Sequence, residues 1–296
     1  MKRRASILPL IPFLTIVLLV VGLLQPLSAS AASISRTHLS ATRLGTHQNA
    51  HPNAGYGNLR YHGGPVMAGT AYAYTIFWEP TGSYVSPTYN SLILRYFGDV
   101  GGSGLYHNNT QYTQSGGGYP SNAVLGGSWV DTAAYPSGTL SDAQIQGEVT
   151  HAQSVNHWSS SINNVFFVFT ARGENICDGS SCSFTSFCAY HGYFGSNTLY
   201  AAMPYTGTNL SACGVSYSPN NDFDADSTIN VTSHEQMEAA TDPLLNAWYD
   251  LAGYEIGDKC AWIFGPGNGD VNWNGHPYEV QKEWDNHVRG CVLSGP

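Results

Sequence analysis

Hydrophobic residues recur along this chain in short blocks of two different periods. Ala71–Trp78 (AYAYTIFW) is dense in β-formers and predicts a strand. Val124–Thr132 predicts a second. Val165–Thr170 (VFFVFT) is a continuous apolar run, the form expected of a strand covered on both faces. Leu199–Pro204 predicts another. Between these blocks the apolar spacing becomes helical. Pro87 opens a helix running through Leu92, Ile93, Tyr96 and Phe97, which Gly98 and the glycines after it close. Ser141 with Gln144 forms a capping box for a helix to about Trp158. A further helix covers Ser227–Thr241, and Pro243 stops it. Asn274-Gly275, between Val271-Asn272-Trp273 and a segment ending near Trp284, predicts a hairpin. Strands interleaved with helices imply an α/β or α+β fold, a central mixed sheet flanked by helices. No internal repeat interrupts it.

The N-terminus has a different pattern. Lys2, Arg3 and Arg4 precede Ile7–Leu24, which is apolar apart from Thr15 and broken by Pro9 and Pro12. Ser28-Ala29-Ser30-Ala31-Ala32 follows with small residues at the A-x-A positions. This is the form of a secretory signal peptide over residues 1–31, with cleavage after Ala31 and no membrane anchor left behind. Residues 32–61 carry no apolar period and read as a linker or pro-segment. They hold Arg36, Arg43 and Arg60 and no acidic residue, so they are suited to lying across a negative cleft. A single globular domain is expected over 62–296.

Charge narrows the partners. All 20 acidic residues lie beyond residue 61, against only Arg95, Arg172, Lys259, Lys282 and Arg289 there. Such a domain lacks the positive footprint that nucleic acid or an anionic membrane requires. The six cysteines are Cys177, Cys182, Cys188, Cys213, Cys260 and Cys291. An even count in an exported chain implies three disulfides stapling its loops. No C-x-x-C pair suggests a zinc cluster. The glycines of Gly265–Gly269 lack the Lys-Ser/Thr of a phosphate-binding loop.

The chemistry concentrates in Thr232–Pro243 (TSHEQMEAATDP). On a helix, His234 and Glu238 lie one turn apart on one face, and imidazole and carboxylate are both zinc ligands. Glu235, one residue on, is placed as a general base. This is similar to the H-E-x-x-H helix of metallopeptidases, with a carboxylate in place of the second histidine. Asp250, Glu255, Asp258 and His191 are available as a third ligand, with Asp258 and His191 favoured. Asp222, Asp224 and Asp226 alternate ahead of the helix. They are candidates for calcium, or for stabilising the helix N-terminus with Asp226 as cap.

Several longer segments resemble the Exordium-like, or phosphate-induced, protein family. They are Gly64-Pro65-Val66, Cys188-Ala189-Tyr190-His191-Gly192, Ser211-Ala212-Cys213-Gly214, Glu238–Pro243 leading into Asn246-Ala247-Trp248-Tyr249, Glu255–Cys260 and Tyr278–Gln281. The resemblance spans about Gly64 to Cys291. It implies an extracellular, wall-associated protein linked in plants to growth control, without a settled activity. Order and proximity then suggest the pairs Cys177–Cys182, Cys188–Cys213 and Cys260–Cys291. Two functions compete. One is a secreted zinc-dependent hydrolase, a metallopeptidase acting on an extracellular peptide or cell-wall polymer. The other is a non-catalytic wall- or carbohydrate-binding protein, for which 19 Tyr and 7 Trp supply contact faces.

Overall fold

The computed structural model describes residues 35–41, 57–266 and 270–296, all within one compact unit, Ser33–Pro296. The signal-peptide segment lies outside the described residues. The longer strands and helices are labelled here in chain order. Six strands form the central sheet: β1 (Ser35–Ala41), β2 (Gly69–Trp78), β3 (Pro120–Asp131), β4 (Asn164–Thr170), β5 (Phe187–Phe194) and β6 (Thr198–Met203). Their spatial order is β1-β5-β6-β4-β2-β3. The last four in that order are mutually parallel, whereas β5 is antiparallel to both its neighbours. The sheet is therefore mixed, as expected.

Three helices cover it: α1 (Tyr89–Asp99), α2 (Asp142–Asn156) and α3 (Phe223–Thr241). The strand β4 shows why its sequence is apolar throughout. Val165, Phe167 and Phe169 pack on the face that carries α1 and α3, while Phe166 and Val168 pack on the face that carries α2. Burial on both sides removes the polar alternation of a one-sided strand. The capping box of Ser141 and Gln144 starts α2, and His157 ends it in the left-handed region. The Asn274-Gly275 turn joins β7 (Asp270–Trp273) to β8 (His276–Glu279). A second small ribbon pairs β9 (Glu283–Asp285) with β10 (Gly290–Val292). The three disulfides are Cys177–Cys182, Cys188–Cys213 and Cys260–Cys291.

Several local expectations are corrected. Gly98 does not end α1, which continues to Asp99 and into a 3-10 turn over Val100–Gly102. Of the glycines there, Gly101 serves close packing: a Cβ on it would stand 1.9 Å from the Ala123 carbonyl oxygen of β3. The helix α3 begins four residues before Ser227 because Asp222, not Asp226, is its cap and accepts from the Ala225 N–H. The strand β5 had no separate signal, since Tyr190-His191-Gly192 mixes polar and apolar residues on a strand buried over most of its length. Ahead of residue 62, β1 adds an edge strand to the sheet, and Arg60–Tyr61 pairs with Trp248–Tyr249.

Candidate metal centre

The helix α3 is buried along its whole length after Phe223, although 12 of its 19 residues are polar. An amphipathic surface helix would turn its polar residues to water. Here each must find a partner inside. Thr228, Thr232 and Thr241 bond back to carbonyls one turn earlier. Gln236 accepts from the Tyr96 hydroxyl of α1, and Asn230 accepts from the Gln281 N–H. His234, Glu235 and Glu238 point into a cluster built from three other parts of the chain.

The cluster begins with His234 and Glu238, whose Nε2 and Oε1 are 3.0 Å apart without hydrogen-bond geometry. The Asp258 N–H fixes Glu238 by donating to the same Oε1 at 3.0 Å, while Asp258 Oδ1 lies 3.8 Å from His234 Nε2. From β5, His191 Nε2 approaches Glu255 Oε2 at 3.3 Å and Glu238 Oε2 at 3.7 Å. From β1, His38 places Nε2 2.6 Å from Asp258 Oδ2 and Nδ1 3.4 Å from Glu255 Oε1. Two overlapping donor triads result, His38–Glu238–Asp258 and His191–Glu235–Glu238, each with its ligand atoms within 4.8 Å of one another. Glu238 is common to both. The approach depends on Gly257, where a Cβ would stand 2.7 Å from His234 Nδ1.

Burial and mutual charge set the protonation states. Burial works against a charge on His234, but Glu238 and the neighbouring acids outweigh it and hold its pKa up at about 10. Burial likewise opposes a charge on His38, and Asp258 and Glu255 overcome it, leaving the pKa well above the usual histidine value. His191 goes the other way, depressed by burial and then by His38 and His234. Burial would raise Asp258, yet His38 and His234 hold it down at about 2. Glu255 and Glu283 are pushed up by burial. Glu283, whose two carboxylate oxygens lack hydrogen-bond partners, feels the charges of His234, Glu238, Asp258 and Glu235. His191 Nε2, both nitrogens of His234, Glu238 Oε2 and Glu255 Oε2 are also buried without hydrogen bonds. Groups of this kind, left unsatisfied, are costly in a protein interior. Imidazoles and carboxylates in one buried cluster are the donor set of zinc and related divalent ions.

The chain is 24% identical to the protein EXORDIUM-like 5 of Arabidopsis thaliana over 288 residues, 81% of this chain and 78% of that protein. It is 25% identical to EXORDIUM-like 3 of the same plant over 285 residues, 79% of this chain and 82% of the relative. The chain is a homologue of the Exordium-like proteins. No family model and no solved structure matches it. The three disulfides and the Exordium-like homologues are consistent with an extracellular protein. Among the described residues no helix is long and apolar enough to cross a membrane.

Of the residues singled out from the sequence, His234, Glu235, Glu238, His191 and Asp258 come together, and Glu255 joins them. Asp250 does not: it forms a buried ion pair with Lys259 at 3.0 Å. The three aspartates, Asp222 at the cap of α3 and Asp224 and Asp226 in its first turn, go to separate partners. Asp222 caps the helix and accepts from Ser86 and Thr88, Asp224 pairs with Arg172 and accepts from Tyr205, and Asp226 accepts from Ser218 and Asn220. His38 and Glu283 gave no signal in the Exordium-like segments or in local spacing. Only the pairing of β1 with β5, His38 opposite His191, places the first of them.

Proposed function

We propose that this protein is an exported metal-dependent hydrolase of the peptidase type, with a centre roofed by the edge strand β1. One observation carries the reading: three imidazoles and the carboxylates of Glu235, Glu238, Glu255 and Asp258 converge from four elements into one buried cluster. Zinc would be held by His234 and Glu238 with Asp258 and His191. When bound, it supplies Lewis acidity to a carbonyl and eases the ionisation of water.

The chain's own groups do the rest. The carboxylate of Glu235, one position from the ligand on the same helix, accepts the proton of the attacking water and returns it to the leaving amine. Glu255 orients His191, and the Asp258 N–H orients Glu238. Only His38 and Asp258 of the cluster are part-exposed, so β1 is the cover through which an extracellular peptide or cell-wall polymer would gain access.

Elemental analysis of the protein purified in metal-free buffer tests this reading. Zinc that is retained by the native chain and lost from His234→Ala supports it, and a native chain without stoichiometric zinc overturns it. Glu235→Gln is expected to keep the metal and lose hydrolysis of a peptide library by ~10²–10⁴-fold. Full activity in that variant ends the proposal.

A further inference from the structure

A second cluster lies on the opposite face of the sheet, at its other edge. Asp131 is the last residue of β3, beside the carboxyl end of the parallel strand β2, where Trp78 is its register partner. Ligand sites of sheets with parallel strands form at such ends. Glu148 and His151 stand one turn apart on α2, on the side that meets Asp131. The His151 Nδ1 is 3.5 Å from Asp131 Oδ2 and 3.7 Å from Glu148 Oε2. All three ligand atoms fall within 4.8 Å of one another.

The two carboxylates are 7% and 5% exposed, whereas His151 is about half exposed. Asp131 Oδ1 is occupied by the Ala133 N–H, but Asp131 Oδ2 and Glu148 Oε1 are buried without a hydrogen bond. Among the described residues neither carboxylate pairs with a lysine or arginine. Two carboxylates held this close without a counter-ion disfavour each other's ionised form. A divalent cation resolves both defects. It neutralises the pair and occupies the unsatisfied oxygens, while the exposed imidazole leaves open positions for water.

We propose that Asp131, Glu148 and His151 form a second divalent-cation site, separate from the α3 cluster, which takes a borderline metal such as zinc or cobalt. It does not depend on the hydrolase reading. The Trp129 ring lies 5.3 Å from that of His151 and provides a reporter.

The test is cobalt(II) chloride titrated into the full chain after chelator treatment, read by quenching of tryptophan fluorescence. Saturable quenching is expected, with its largest part lost in Trp129→Phe. His151→Ala, a change at a half-exposed position, is expected to weaken the midpoint at least tenfold, and zinc should compete. Glu148→Gln, nearly isosteric, should weaken it similarly and provides a second measurement if the histidine variant is poorly folded. Quenching that is absent from the native chain, or equal in native, His151→Ala and Glu148→Gln proteins, overturns the site. Both results can occur whether or not His234→Ala abolishes zinc elsewhere.

Discussion

Gly257 is the smallest part of the α3 cluster and one of the least replaceable. A methyl group there would overlap the His234 ring at 2.7 Å from Nδ1. Gly257→Ala is expected to cost about 1–3 kcal/mol in denaturant unfolding, the scale of overpacking in a tight interior. It should weaken zinc binding more than a cavity-neutral change elsewhere. The His234 imidazole makes a second prediction. In the metal-free protein it holds a proton up to about pH 10, and that proton must leave before the nitrogen can bind a cation. Zinc affinity should therefore rise with pH, by about tenfold per unit for one displaced proton, between neutrality and about pH 10, and level off above it. Calorimetry in buffers of different ionisation enthalpy measures the proton released. A pH-independent affinity contradicts the protonation state argued here. His234, Glu235 and Glu238 were legible in the sequence because helical spacing is local. His38 and Glu283 were not, because His38 reaches Asp258 across 220 positions and no short pattern encodes that contact.

At the scale of elements, the α2 cap was readable three residues apart and is present as read. Ser141→Ala is expected to cost about 1 kcal/mol, measured by thermal unfolding. The boundaries of α1 and α3 were not readable to the residue, since Gly98 is a permitted helix residue when packing continues past it and Asp222 competes with Asp226 for one cap. The composition of 32–61 suggested a strip able to cover acidic groups, but nothing in it marked β1 as a strand. Register against β5 selects which side chain faces the cluster, and it selects His38. His38→Ala is therefore expected to raise peptidase activity several-fold by loosening the cover. Unchanged or lower activity in an intact fold would mean that β1 is not an obstacle.

For the molecule as a whole, the disulfides are placed where they hold the candidate ligands. Cys260 follows Asp258 by two residues and is tied to Cys291, and Cys188 on β5 precedes His191 and is tied to Cys213 beside α3. Replacing Cys260 and Cys291 by serine should cost about 2–5 kcal/mol. It should also weaken cation binding, since Asp258 loses its anchor, and metal titration of the refolded variant checks this. The mixed sheet follows from the strand patterns, whereas the meeting of α3, β5, β1 and the Glu255–Cys260 segment is a product of topology that no single segment states. The position of β1 has one more implication. It is the outermost strand on its side, so displacing it would leave the free backbone donors and acceptors of β5 running past His191. An extended peptide could then dock by replacing the lost strand, with its main chain aligned by the same ladder and an amide bond carried over the ligands. Recognition of this kind reads shape and backbone more than side chains, and the same vacancy in a second molecule would invite strand exchange between copies.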